Sequence, residues 1–251
     1  MKHILGPGIR LVVLVLLVAF VVTPQSFAGL LAPLTKPGQD PIYTQNSLLD
    51  LALSHIEIVL AATIASTIVA VGLAILVTRP SGREFLPLSR SLANIGQTFP
   101  PVAVLAIAVP LLGFGTAPTL IALFLYGLLP IFENGLTGLT TLPPDVTDAA
   151  LGVGMTGWQR LTQVELPLAL PVILAGIRLS VVVSVATATI GSTVAAHTLG
   201  EVIIAGLTTD NTAWVLQGGL VVAVLAVLIY DALSAIERSI TARSAGRTQT
   251  T

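Results

Sequence analysis

The chain has 251 residues, 54% hydrophobic and 9% charged, with a formal net charge of -1 and a mean hydropathy of +0.95. No water-soluble domain carries that much apolar surface, so the protein reads as integral to a membrane. The balanced charge, with no basic patch interleaved with aromatics, gives no footing for nucleic acid, and the absence of cysteine removes disulfides, thiol chemistry and Cys-based metal sites.

The first apolar run is Leu11 to Val22. It follows Lys2 and Arg10, and with Ser26-Phe27-Ala28 behind it the pattern also fits a cleavable signal peptide. A retained helix is preferred, because a multispan protein can set its topology with that element. Segment 24–54, with Pro33, Pro37, Pro41 and Gly38, is then an irregular linker that ends in a helix start. Ser54-His55-Ile56-Glu57 matches a capping box, which gives Glu57 a structural task rather than a functional one.

A helix needs about 20 apolar residues to cross the hydrocarbon core, and Ile58 to Val77 supplies them. No charge appears between Arg90 and Glu133, room for two crossings joined at Gly113-Phe114-Gly115-Thr116-Ala117-Pro118. The first of these carries Gly96, Pro100, Pro101 and Pro110, each of which weakens a helix. Irregular backbone at membrane depth must be surrounded by protein or water, so this helix should face the bundle interior or a passage. Gln97 and Thr98 beside the break either satisfy the freed backbone groups or line a path.

The segment 140–167 is different, being polar between oily neighbours. After Pro143-Pro144, Asp145 is read as the N-cap of a short helix, with Asp148 favourable to its dipole. Gly152 and Gly154 weaken and stop it. Thr156-Gly157-Trp158-Gln159 is another capping box, starting a second short helix that Pro167 ends or kinks. Helices this short are unstable alone in water, so the protrusion must dock on something, either its own bundle or a partner.

The next run is Leu179 to Ala196. Gly176, Ser180, Ser184, Thr187 and Gly191 recur there at intervals of three or four, a stripe that lets another helix approach closely or, less commonly, lines a wet path. Arg178 lies near the end of that span and can snorkel to interface water. Residues 197–211 form a connecting loop, Trp214 reads as an interfacial belt residue, and Thr212 to Tyr230 is the last span. The tail from Arg243 to Thr251 is expected to be disordered. The total is six spans, or five if the first is cleaved.

Lys2, Arg10, Arg79, Arg83, Arg90, Arg160, Arg178, Arg238, Arg243 and Arg247 fall on one side or at its helix ends, and only Lys36 on the other. That asymmetry puts both termini and the 140–167 loop in the cytoplasm. Catalysis has no visible seat. The three histidines (His3, His55, His197) are scattered at span ends, and no His-x-x-x-His, Gly-x-Ser-x-Gly or phosphate-binding Gly-x-x-x-x-Gly-Lys-Ser/Thr pattern occurs. Glu133 and Asp231 lie near span ends, so no row of carboxylates serves ion coupling. The expectation is no enzyme, no cofactor and no metal; ATP, if it drives anything here, acts on another subunit.

Asp148-Ala149-Ala150, Gly154, Val164 and Leu166-Pro167 stand in register with a known signature: Glu-Ala-Ala, three residues, Gly, nine residues, Ile, one residue, Leu-Pro. The stretch resembles the cytoplasmic signature of ABC-importer permeases, with Asp148 for Glu and Val164 for Ile. IGQTFPPVAVLAIAVPLLGFGTAPTLIALFLYGLLP (95–130), VELPLALPVILAGIR (164–178) and TATIGSTVAAHTLGE (187–201) are similar to the glycine betaine, carnitine and choline branch. Where relatives read Gly-Ala-Gly-Gly-Leu-Gly, this chain has Ala195-Ala196-His197-Thr198-Leu199-Gly200.

The resemblance implies an all-α integral membrane protein with the six-helix type I ABC importer permease (MetI-like) fold. Residues 1–54 would be the first helix and an extracytoplasmic linker, 55–237 the permease core with its coupling loop 140–167, and 238–251 a cytoplasmic tail. It implies a bacterial inner-membrane location and a second permease subunit, identical or related. It further implies two ATP-hydrolysing subunits and an extracytoplasmic solute-binding protein. Asp148, Ala149, Ala150, Gly154, Leu166 and Pro167 would couple to the ATPase, and Gln97, Thr98, Ser184 and Thr187 would line the path for a compatible solute such as glycine betaine. Rival readings are an importer for another small solute such as an amino acid, and a membrane scaffold or enzyme.

Overall fold

In a computed structural model, which describes residues 6–247, the chain is helical throughout, with no strand among the described residues. Lys2 and His3, and the end of the tail at 248–251, lie outside them. The labelled helices are α1 (Pro7–Val22), α2 (Leu48–Thr78), α3 (Leu86–Thr98), α4 (Pro101–Leu112), α5 (Thr116–Thr140), α6 (Pro144–Gly152), α7 (Gly157–Arg160), α8 (Leu166–Thr187), α9 (Gly200–Thr208) and α10 (Thr212–Arg247). Four stretches are long and apolar enough to cross a membrane: Leu48–Thr78, Thr116–Thr140, Gly157–Val194 and Thr212–Ile240. Two bent pairs raise the number to as many as six: α1 with the 24–34 hook, bent by 108°, and α3 with α4, bent by 98°. At 1.5 Å per residue α3 and α4 are each about 20 Å long, short of the roughly 30 Å core, so neither spans alone.

The chain divides into two compact units, one of residues 6–63, 99–124 and 181–231 and the other of 64–98, 125–180 and 232–247. In the first, α2 starts at Leu48, not at Ser54. Ser47 Oγ accepts the Asp50 N–H at 3.3 Å, and the Ser54 hydroxyl donates to the His197 carbonyl at 2.7 Å. The expected capping box at Ser54 therefore does not exist; Leu48, Leu51 and Ala52 are buried and give the earlier turns an apolar face of their own. His55, fully buried, ties three segments together. Its Nδ1 accepts the Leu199 N–H at 3.3 Å, which leaves Nε2 to carry the proton and donate to the Val185 carbonyl at 2.9 Å.

Around that histidine the linker is ordered by a carboxylate. Tyr43 Oη donates to Glu201 Oε1 at 2.6 Å, and Asn46 donates to the same oxygen. Burial and this negative partner both push the Tyr43 phenol well above its ordinary pKa. The span expected at 179–196 is displaced: α8 begins at Leu166, ends at Thr187 and passes into a 3-10 helix, Ala188–Val194. Ala195 then takes a left-handed conformation at φ 63°, and the loop expected over 197–211 contains α9. Arg10 and Asp231 pair at 3.0 Å.

In the second unit close backbone approaches accompany a core built on Leu128, Ile131, Phe132 and Ile173. A Cβ on Gly127 would lie 2.7 Å from both Ser66 Oγ and Ser180 Oγ, one on Gly176 2.7 Å from Asn134 Cβ, and one on Gly96 2.1 Å from the Leu125 carbonyl oxygen. Small residues are what permit these contacts in a bundle with no hydrophobic drive between helices. Arg90 grips Glu133 with a two-bond fork, 2.6 and 3.1 Å. Arg178, expected to snorkel, instead pairs with Glu237 and donates to Ser234 Oγ at 3.0 Å. The tail expected to be disordered from Arg243 continues as helix to Arg247.

Ala195 occupies a conformation that costs an L-residue about 1–2 kcal/mol and a glycine almost nothing. Ala195→Gly is expected to raise stability by about 1 kcal/mol, seen as a higher unfolding midpoint in detergent; a lower midpoint would contradict the strain.

Candidate functional site

Residues 144–166 form the polar protrusion expected within 140–167, and its geometry is set by local chemistry. Pro143 sits at the N-cap position of α6 with Pro144 opening the helix. Asp145, expected as the cap, lies instead in the first turn, because proline needs no N–H partner there and its φ is already helical. At the other end Gly154 adopts φ +76°. The Gly154 N–H then reaches the Leu151 carbonyl at 2.9 Å and the Met155 N–H reaches the Ala150 carbonyl at 3.1 Å. Those bonds stop the helix and need a left-handed residue, which is why glycine stands at 154.

The capping box at Thr156 is present in both directions. Gln159 N–H donates to Thr156 Oγ1 at 3.3 Å, and Gln159 Oε1 accepts from Thr156 N–H at 2.9 Å. Pro167, expected to end or kink the second short helix, does not end it. Residues 161–165 form a π-turn, closed by the Leu166 N–H on the Leu161 carbonyl, and the helix runs on through α8. The wide turn lies immediately before a residue that has no N–H to give, so the irregularity is absorbed without a break.

One carboxylate fixes the protrusion to the membrane helices. Glu165, 6% exposed, accepts Arg79 Nη2 on one oxygen at 2.5 Å and Arg160 Nε on the other at 2.7 Å. Arg79 stands directly after α2, so the carboxylate joins the end of a span to the base of the protrusion. Both carboxylate oxygens are met by a guanidinium, as a poorly hydrated anion requires, and the two arginines share that one negative charge. Nothing in the sequence pattern points to Glu165, Arg79 and Arg160 as a group, although both arginines are read at span ends from the charge count.

Among its polar residues the protrusion shows three large apolar side chains to its surroundings. Ala150 and Leu161 are buried, whereas Leu151, Val153 and Trp158 are 54%, 75% and 73% exposed. Asp148, Ala149, Gly154 and Pro167 are exposed as well, and Leu166 is half-buried. Of the signature positions, Ala150 alone is turned fully inward.

The four path candidates fall in different places. Gln97 Nε2 donates to the Tyr126 carbonyl at 3.1 Å, and Tyr126 is four residues before Pro130, whose missing N–H frees that carbonyl. Asn134 Nδ2 donates to the Pro130 carbonyl at 2.8 Å. Thr98 bonds back to Asn94 at 3.0 Å. Ser91, Asn94, Gln97 and Thr98 are all exposed, and at 100° per residue they share about a third of the circumference of α3. Ser184 is 1% exposed and Thr187 half-buried. No cluster of metal-ligating residues occurs among the described residues. Trp214 stands edge-on to Tyr43, ring centroids 5.3 Å apart, an arrangement that closes one aromatic face rather than opening it as a cage.

Comparison with known proteins places this geometry among transport components. Residues 70–242 match the model of the family described as binding-protein-dependent transport system inner membrane component. The chain is 39% identical over 191 residues to the osmoprotectant import permease protein OsmY of Salmonella typhimurium, covering 76% of this chain and 80% of that one. It is 37% identical over 187 residues to the glycine betaine/carnitine/choline transport system permease protein OpuCB of Bacillus subtilis, covering 74% and 85%. Among solved structures it resembles an inward-facing form of the MetNI methionine ABC transporter, with a TM-score of 0.70 at 19% identity over 77% of this chain and 95% of that one.

Removing one partner of a buried ion pair costs about 3 kcal/mol. Glu165→Ala should therefore loosen residues 156–166, read as amide hydrogen exchange at least tenfold faster there with the spans unaffected. Unchanged protection would show that the clamp does not hold the protrusion.

Proposed function

The chain belongs to the family of binding-protein-dependent transport system inner membrane components, and from that premise we propose that it imports a compatible solute such as glycine betaine. It is a multi-pass permease subunit of an ABC importer. Its protrusion at 144–166 receives work from separate ATP-hydrolysing subunits, and an extracytoplasmic binding protein delivers the solute. Both termini and the protrusion face the cytoplasm in this reading, supported by the one-sided Lys and Arg count. A second permease subunit, identical or related, completes the path.

The observation that carries the reading is the protrusion itself. It is locally rigid through two capped ends and the Glu165 clamp, yet exposes Leu151, Val153 and Trp158 around the signature residues Asp148, Ala149 and Gly154. Large apolar side chains clustered on a polar protrusion fit a cleft on another protein better than they fit water. ATP binding by the ATPase pair would draw the tips of the two permeases together and favour the outward-facing arrangement, a population shift driven by differential contact. The polar sector of α3, Ser91 to Thr98, supports a place on the solute path, because hydrocarbon would leave those groups unsolvated. Recognition of a quaternary ammonium by an aromatic cage is assigned to the binding protein.

The solute class is carried by likeness to the osmoprotectant and glycine betaine permeases, and its test is uptake. A deletion strain under salt stress is expected to lose accumulation of labelled glycine betaine and to regain it on complementation; unchanged accumulation would reject that solute. For coupling, Gly154→Val places a β-branched residue at φ +76° and should lower uptake at least tenfold with membrane insertion intact. Gly154→Asn, which tolerates the left-handed region, should keep most of it. Equal uptake by the two variants would refute the role of the bend.

A further inference from the structure

The second unit, which contains residues 64–98 and 125–180, carries one ion pair left open to its surroundings. Arg90 on α3 and Glu133 on α5 have side chains 50% and 37% exposed. The other pairs of that unit, Arg79 and Arg160 with Glu165 and Arg178 with Glu237, are shielded, with no member above 23%. The open pair is not needed to fasten α3 to α5. Gly96 already brings α3 against Leu125, and Gln97 holds the Tyr126 carbonyl. Gln97 lies two turns beyond Arg90, and Tyr126 two turns before Glu133. The helices therefore run antiparallel with matched spacing, and the ion pair sits about 10 Å along the seam from the Gln97 contact.

An exposed ion pair on a helix of a bent span must meet water or protein, since hydrocarbon does not hold it. At 100° per residue α3 has three faces. Ser89, Ala93 and Gly96 form the buried seam, Leu88, Leu92 and Ile95 an exposed apolar ridge, and Arg90 falls with Ser91, Asn94, Gln97 and Thr98 in the polar sector. Arg90 thus stands on the side of α3 that the transport reading gives to the solute path. Its guanidinium is only half engaged. Nε and Nη2 form the fork to Glu133, and among the described residues no acceptor meets Nη1, so the outer Nη1–Nη2 edge is open. A second carboxylate fits that edge with the same two-bond geometry.

We propose that Arg90 and Glu133 form a transit site for a zwitterion: the open guanidinium edge takes the solute's carboxylate, and the Glu133 carboxylate attracts its quaternary ammonium. The inference rests on the transport reading for the place of α3, and adds that the permease itself discriminates among solutes. A solute with both charges engages both halves of the pair without breaking the fork. One with the ammonium alone, such as choline, leaves the guanidinium edge to water and forgoes its hydrogen bonds, which is the source of the preference. Two exposed opposite charges hold such a ligand weakly, as a path that must release its solute requires.

The test uses the assembled permease–ATPase complex in nanodiscs, without the binding protein so that no signal comes from it. Saturation-transfer difference NMR is titrated with glycine betaine and, separately, with choline. Wild type should bind glycine betaine about fivefold more tightly than choline, the effect of about one net hydrogen bond. The double variant Arg90→Gln with Glu133→Gln, which keeps a neutral hydrogen-bonded pair between the helices, should erase that preference. Equal titration midpoints in wild type would overturn the site without recourse to a variant, and so would a preference that survives in the double variant. Uptake by the deletion strain judges the transport reading separately: import of glycine betaine together with equal midpoints rejects the site and leaves that reading standing.

Discussion

The Glu165 carboxylate, held between Arg79 and Arg160, is the contact on which the functional geometry rests. A protrusion of two short helices has little stability of its own. Force applied at its tip would be lost in bending if the base were loose. The clamp joins the base to the end of α2, and the unbroken passage from α7 through the π-turn into α8 joins it to a second span. Two spans thus share one attachment, in which a short charged network stands beside the buried Ala150 and Leu161.

Elsewhere the bundle is governed by a single requirement, that backbone groups at membrane depth be satisfied from within the protein. Pro130 leaves the Tyr126 carbonyl free, and the Gln97 amide takes it up. Gly96 makes this possible, since only a residue without Cβ lets α3 come so near Leu125. The same economy appears at Gly127, Gly176 and Gly191, each pressed against a serine, asparagine or threonine side chain. Bends and glycines are therefore coupled: where proline opens the ladder, a neighbour must come close enough to close it.

Much of this was legible in the sequence, and the exceptions have physical causes. Hydropathy marks the apolar runs though not the start of the helix at Leu166, and Thr156 and Gln159 announce their reciprocal cap and Gly154 the helix stop because those signals lie within a few residues. The start of α2 was misplaced, since Asp50, Ser54, His55 and Glu57 interrupt the apolar run although the helix projects past it to Leu48. Asp145 reads as a cap because its side chain is the better capper, while the prolines before it settle the first turn. Pro167 reads as an end or a kink because the rule assumes an α-helix, and the helix runs on past it through a π-turn. The clamp could not be read at all: Arg79 and Glu165 are 86 residues apart, and no local pattern links them. Of the path candidates, Gln97 and Thr98 share a polar sector with Ser91 and Asn94, and Ser184 is packed away, a distinction that spacing alone does not contain.

The central claim is that the exposed tip of the protrusion is seated in a separate ATP-hydrolysing subunit. Because the chain has no cysteine, a unique cysteine carrying a photoactivatable cross-linker can be placed at Val153, on the tip, with Ile68 as a control on an exposed face of α2. In membranes containing the whole transporter, the account predicts an adduct between position 153 and the ATPase whose yield changes when ATP is bound, and none from position 68. Transport at the wild-type level with no adduct from position 153 would contradict it.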